Sequence, residues 1–94
     1  SSLKEVASRA RILATHSGVD LTIAIGELQD DCISVVLHSA QDTFGQTMVY
    51  SSQRHSQRIR QEMTAMLALD MLRRWLTGQS PYGNYEWLKP TETL

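Results

Sequence analysis

The stretch Cys32-Ile33-Ser34-Val35-Val36-Leu37-His38-Ser39 decides how the chain folds. Ile33, Val35 and Leu37 point one way and read as inward, while Cys32, Ser34 and His38 fall on the opposite face. A period of two is the signature of a strand, because successive Cβ atoms leave it on opposite sides. Upstream, residues 19–28 (VDLTIAIGEL) alternate in the same way. Val19, Leu21, Ile23 and Ile25 share one side against Asp20, Thr22 and Ala24, the pattern of a half-buried strand. Gln29-Asp30-Asp31 forms the turn between the two. Downstream, residues 40–45 (AQDTFG) make a second turn and residues 46–51 (QTMVYS) a third, shorter strand. Connections this short imply an antiparallel meander.

Helical periods flank the meander. Over residues 3–15, Leu3, Val6, Ala7, Ala10, Leu13 and Ala14 recur at steps of three and four and make one apolar face. Ser2 and Glu5 have the spacing of a capping box, and Gly18 is a natural stop. From about Ser52 to Leu76 the period is helical again, for a length of roughly 35 Å at about 1.5 Å per residue. Gly78 and Pro81 end that helix. The order helix, strand, strand, strand, helix predicts an α+β fold. The expected form is a two-layer sandwich, a three-stranded antiparallel meander with both helices on one face. Residues 1–78 form that domain, and residues 79–94 form a C-terminal tail carrying Tyr82, Tyr85 and Trp87.

Length and composition agree with a single globular unit. The chain has 94 residues, of which 41 % are hydrophobic and 20 % charged, so it carries one modest core and is not of disordered composition. No apolar run reaches the roughly 18–20 residues of a membrane span. Lys4, Glu5, Arg9 and Arg11 interrupt any signal-peptide-like stretch. Cys32 is the single cysteine, which excludes an internal disulfide and a cysteine zinc cage and points to a reducing, intracellular compartment. Ser1 and Ser2 stand where an initiator Met is expected, which suggests processing or a piece of a longer chain.

The net charge of −1 conceals a split. Residues 17–50 carry Asp20, Glu27, Asp30, Asp31 and Asp42 with no Lys or Arg, a balance of −5. Residues 51–61 carry Arg54, Arg58 and Arg60 with no acid, a balance of +3. Arg supplies seven of the nine cations, and its planar fork suits phosphate or carboxylate.

Helix, three-strand meander and helix within Leu3 to Leu76 resembles the double-stranded-RNA-binding domain. Three local features carry the resemblance: Leu3-Lys4-Glu5 at the first helix, Gly45 at the entry to the third strand, and Arg54, His55 and Arg58 at the start of the last helix. The last three match the spacing of that family's basic motif. They would lie on one side of a first helical turn, where free N–H groups and the macrodipole already favour phosphate. The resemblance implies contact with a duplex phosphate backbone through Arg54, His55, Arg58 and Arg60, with Glu5 and Ser8 as groove contacts.

A second reading keeps the fold and replaces RNA with protein. Ile59, Met63 and Met66 form a stripe on the long helix at steps of four and three. With Tyr82, Tyr85 and Trp87 of the tail they make a surface for a protein partner or a second copy of the chain. The acidic loop from Gly26 to Asp31 favours this reading, and the basic triplet favours the first. On the long helix, Ala65, Ala68, Leu69, Met71, Leu72, Trp75 and Leu76 are the expected core face.

Catalysis is not expected. His16, His38 and His55 are scattered, and Cys32 and His38 sit six residues apart, roughly 20 Å along a strand. No phosphate-binding glycine loop, paired-His site or nucleophile elbow is present, and no cofactor or metal is called for. Double-stranded RNA, a protein partner or a second copy are the expected partners.

Overall fold

Five of the six elements follow from the periodicities of the sequence, and the sixth comes from the tail. The computed structural model describes residues 2–26, 31–50 and 56–94. In chain order these form α1 (Leu3–Ser17), β1 (Leu21–Ile25), β2 (Cys32–Ser39), β3 (Thr43–Tyr50), α2 (Gln57–Leu76) and β4 (Leu88–Thr93). The α+β class and the order of the first five elements are as the sequence predicts.

Both helices begin at a serine cap. Ser2 Oγ accepts from the Glu5 N–H at 3.2 Å, and Ser56 Oγ accepts from the Ile59 N–H at 3.3 Å. These caps satisfy N–H groups that have no partner within a helix. At the far end of α1, Gly18 adopts φ 65° and donates to the Ala14 carbonyl at 2.9 Å. That left-handed turn is nearly free of cost only for glycine.

The sheet is antiparallel throughout, in the order β1-β2-β3-β4. Ile23 lies opposite Leu37, Leu37 opposite Phe44, and Ile33 opposite Met48. Residues 79–94, read from sequence as a tail, carry the additional strand β4, which sets Leu88 opposite Tyr50 and Pro90 opposite Met48. Pro90 is tolerated because β4 is an edge strand, where a missing N–H need not break a ladder.

The layering differs from the two-layer expectation. Ile33, Val35 and Leu37 of β2 pack with Met48, Tyr50, Leu88 and, from α2, Leu67, Ala68 and Met71. Val36, the residue between Val35 and Leu37, packs instead with Leu3, Val6, Ala7 and Ala10 of α1. The helices therefore cover opposite faces of the sheet, not one. β2 runs between them, and its residues from Ile33 to Leu37 are all buried. α1 approaches closely because Gly45, opposite Val36 in the register, has no side chain to hold it away.

α2 is also turned about its axis relative to the expected core face. Its buried residues are Thr64, Leu67, Ala68 and Met71, whereas Leu69 and Leu76 are 64 % and 66 % exposed. Thr64 is the cause that apolar periodicity could not show. Its hydroxyl donates to the Arg60 carbonyl at 2.9 Å and bonds the Tyr50 hydroxyl, so a polar residue sits satisfied against the sheet.

Candidate functional site

Two open clefts flank α2. The first, of about 500 Å³, lies between the start of α2 and the Ile25–Ile33 end of the sheet. Ile25, Ile33 and Ala65 give it apolar surface, and Gln57, Arg60 and Gln61 give it polar groups. Arg60 is fixed from several sides. Its guanidinium pairs with the Asp31 carboxylate and lies 5.2 Å from the centre of the Tyr50 ring. The Tyr50 hydroxyl oxygen lies 2.7 Å from the Arg60 carbonyl, beside the Thr64 hydroxyl that donates to it. Asp31 itself adopts φ 62°, a left-handed conformation that Asp accepts better than most side chains. The Arg60 side chain is only 11 % exposed, so this cation is part of the cleft wall rather than a free surface charge. The N-terminal turn of α2 contains no acid to oppose its positive dipole end.

The second cleft, of about 440 Å³, runs along α2 beside residues 85–88. Met63, Met66, Leu69, Tyr85 and Trp87 line it, with Asp70 and Arg73 at its polar edge. Asp70 accepts from Arg73 Nη2 at 2.8 Å, from Arg74 Nε at 3.0 Å and from the Tyr85 hydroxyl. The Tyr85 bond, aided by the two arginines, holds the Asp70 carboxyl down at about 2 against the pull of burial. Burial first, and then Asp70, push the Tyr85 phenol up to about 12. Nearby, the Tyr82 hydroxyl bonds the backbone of Gly45, and burial raises its pKa as well.

The residues expected to bind nucleic acid do not form one surface. Arg54 and His55 lie outside the described residues. Arg58 is exposed and faces Glu62 at 3.7 Å, while Arg60 is turned inward onto Asp31. Glu5 and Ser8 are exposed on α1, across the sheet from α2. Of the expected protein-contact residues, Met63, Met66, Tyr85 and Trp87 do meet, at the second cleft. Ile59 is 42 % exposed and does not line it, and Tyr82 packs edge-on against Phe44 with ring centres 6.1 Å apart.

Sequence reasoning missed Gln57, Gln61 and Thr64 as cleft residues. The usable signal was their spacing: Gln57 and Thr64 lie about one helical turn before and after Arg60, and Gln61 follows it directly. Among the described residues no cluster of three or more His, Cys, Asp or Glu side chains could hold a metal ion. No helix of the described residues is long and apolar enough to cross a membrane.

The chain resembles a set of bacterial proteins. It is 35 % identical over 74 residues to the CinA-like proteins of Escherichia coli O9:H4 (strain HS) and Shigella flexneri. The same identity and length relate it to the NMN amidohydrolase-like protein YfaY of Escherichia coli (strain K12). Each match takes in 79 % of this chain and 18 % of the relative, so the chain spans about a fifth of the proteins it resembles. No protein-family model matches, and no solved structure matches. These relatives correct the resemblance to a double-stranded-RNA-binding domain and, with it, the expected role in RNA binding. That resemblance rested on the order of elements within Leu3 to Leu76 and on three short local features, whereas the similarity to these relatives is residue by residue over 74 positions. The opposed placement of the two helices agrees with the correction.

Proposed function

We propose that this chain is the counterpart of one segment of a CinA-like protein, and that it supplies a wall of a mononucleotide site without supplying a catalytic group. NMN (nicotinamide mononucleotide) is the ligand class suggested by the name of the relative YfaY. The single observation that supports the reading is that similarity over 74 residues, and the first cleft is where we place such a ligand. A mononucleotide presents a phosphate, hydroxyls and a flat ring. The cleft presents the start of a 20-residue helix, the side-chain amides of Gln57 and Gln61, and the apolar surfaces of Ile25 and Ile33. Its volume of about 500 Å³ is within the usual range for small-ligand sites. Support for a non-catalytic role comes from the scattered histidines and the separation of Cys32 from His38. Any amide hydrolysis would then require residues of a longer polypeptide. An intracellular location belongs to the same reading and is supported by the single cysteine.

NMR titration of the chain with NMN tests this. Backbone shifts are expected to move at Gln57, Arg60 and Gln61, and to move less in Gln57→Ala/Gln61→Ala, with no ammonia released. Shifts confined to other surfaces, or none at millimolar NMN, would remove the site. Ammonia release by the chain itself would remove the non-catalytic part.

A further inference from the structure

The outer face of α2 carries a stripe that the core does not use. Ile59, Glu62, Met66, Leu69, Arg73 and Leu76 follow one another at steps of three and four, the spacing of a coiled-coil seam. The four apolar members are 42 %, 63 %, 64 % and 66 % exposed in chain order. They lie opposite Thr64, Leu67, Ala68 and Met71, the residues that face the sheet. Four large apolar side chains aligned over about 26 Å of helix are a surface and not scattered exposure.

We infer that this stripe pairs with the same stripe of a second copy, helix against antiparallel helix, about a twofold axis level with the Leu67–Ala68 bond. The sequence of the stripe is self-complementary in that one register. Ile59 meets the partner's Leu76, Met66 meets the partner's Leu69, and Glu62 meets the partner's Arg73. Twofold symmetry makes every contact twice, as an isologous interface requires. Apolar groups thus oppose apolar groups, and the only two charges of the stripe oppose each other with opposite sign. A parallel pairing would instead set Glu62 against Glu62 and Arg73 against Arg73.

The present partners of those charges do not prevent the exchange. Arg58 lies 3.7 Å from Glu62, whose side chain is 66 % exposed, and the Arg73 side chain is 57 % exposed beside Asp70. Exposed pairs of this kind hold a side chain only weakly. One helix pair buries less than the roughly 800 Å² per partner of a standard interface, so the dimer is expected to depend on concentration.

Sedimentation equilibrium from 10 to 500 μM, with circular dichroism to verify folding, tests the pairing. The wild type is expected to rise from 10.6 kDa toward twice that mass. Glu62→Arg and Arg73→Glu, each alone, should remain monomeric because like charges then face each other. The double variant Glu62→Arg/Arg73→Glu should dimerise again, and an equimolar mixture of the two single variants should form a heterodimer. A folded wild type that is monomeric at every concentration overturns the proposal and assigns the stripe to another protein or to the rest of a longer polypeptide. A dimer that survives both single reversals, or whose double variant stays monomeric, overturns the antiparallel register.

Discussion

The Tyr82 hydroxyl sits on the backbone of Gly45, accepting from its N–H at 2.9 Å and donating to its carbonyl at 3.2 Å. The two residues are 37 positions apart. This contact fastens the segment after α2 to β3 just where β4 ends, and the Leu94 N–H takes the same Gly45 carbonyl at 2.9 Å.

Tyr82→Phe keeps the ring against Phe44 and removes only the hydroxyl. The buried Gly45 N–H then loses its acceptor, which costs about 1–3 kcal/mol by the usual penalty for an unmade buried hydrogen bond. Urea unfolding should show the loss as a lower midpoint with an unchanged slope. Hydrogen exchange should show the Gly45 amide losing protection.

Gly45→Ala tests the close approach of α1. An added Cβ would lie 2.7 Å from Leu94 Cδ1, 3.0 Å from Val36 Cγ2 and 3.2 Å from Leu3 Cδ1. Leu94 is 45 % exposed and can move aside, but Val36 and Leu3 are buried and cannot. A cost of about 1–3 kcal/mol is expected, typical of overpacking, and thermal unfolding reads it. Leu94→Ala in the same background should recover little of it, because the Leu94 clash is the one that relaxes freely.

Much of the architecture was legible as periodicity, and the misses share a physical cause. Alternation in β2 identified Ile33, Val35 and Leu37 correctly but made the other face look solvated, because it carries Ser34 and His38. Those polar groups are satisfied within the sheet: Ser34 Oγ bonds Thr47 Oγ1 at 2.7 Å and His38 Nδ1 bonds Thr43 Oγ1 at 2.8 Å. A polar face paired internally can lie on the side that α1 covers, and composition alone cannot distinguish it from a wet one. β4 was hidden for a related reason, since Lys89-Pro90-Thr91-Glu92 has the residues of an exposed edge and not of a core strand. At the candidate site, Arg60 was visible as a cation, but its pairing with Asp31 depends on a contact 29 positions away that no local pattern encodes.

The Asp70–Tyr85 pair predicts two pH limits. Asp70 titrates at about 2 in the folded chain against an ordinary 3.8, so the unfolded state binds protons first as pH falls. Its contribution to stability is present above pH 4 and is lost between about pH 4 and pH 2. Tyr85 titrates at about 12 against an ordinary 10.0, so its contribution is present below pH 10 and is lost as pH rises toward 12. Tyr85→Phe removes the alkaline loss of this group and the largest cause of the Asp70 depression. NMR titration should then find the Asp70 carboxyl moved back up toward its usual range, with acid unfolding less steep between pH 4 and pH 2.

Tyr50 and Thr64 are expected to act as a unit. The Thr64 hydroxyl donates to the Arg60 carbonyl at 2.9 Å and accepts from the Tyr50 hydroxyl, whose oxygen lies 2.7 Å from the same carbonyl. Both side chains are buried, at 3 % and 8 % exposure, so neither hydroxyl can turn to water if the other is lost. Tyr50→Phe and Thr64→Val preserve shape and should each cost about 1 kcal/mol or somewhat more. The double variant leaves neither hydroxyl stranded, and its cost should fall short of the summed singles by at least about 0.5 kcal/mol. Chemical unfolding of the four proteins measures this coupling. Because this cluster also positions Arg60, the same variants should weaken NMN-induced shifts at Arg60 more than those at Gln57. Strict additivity would show that the two hydroxyls act separately and that Arg60 owes its position to Asp31 alone.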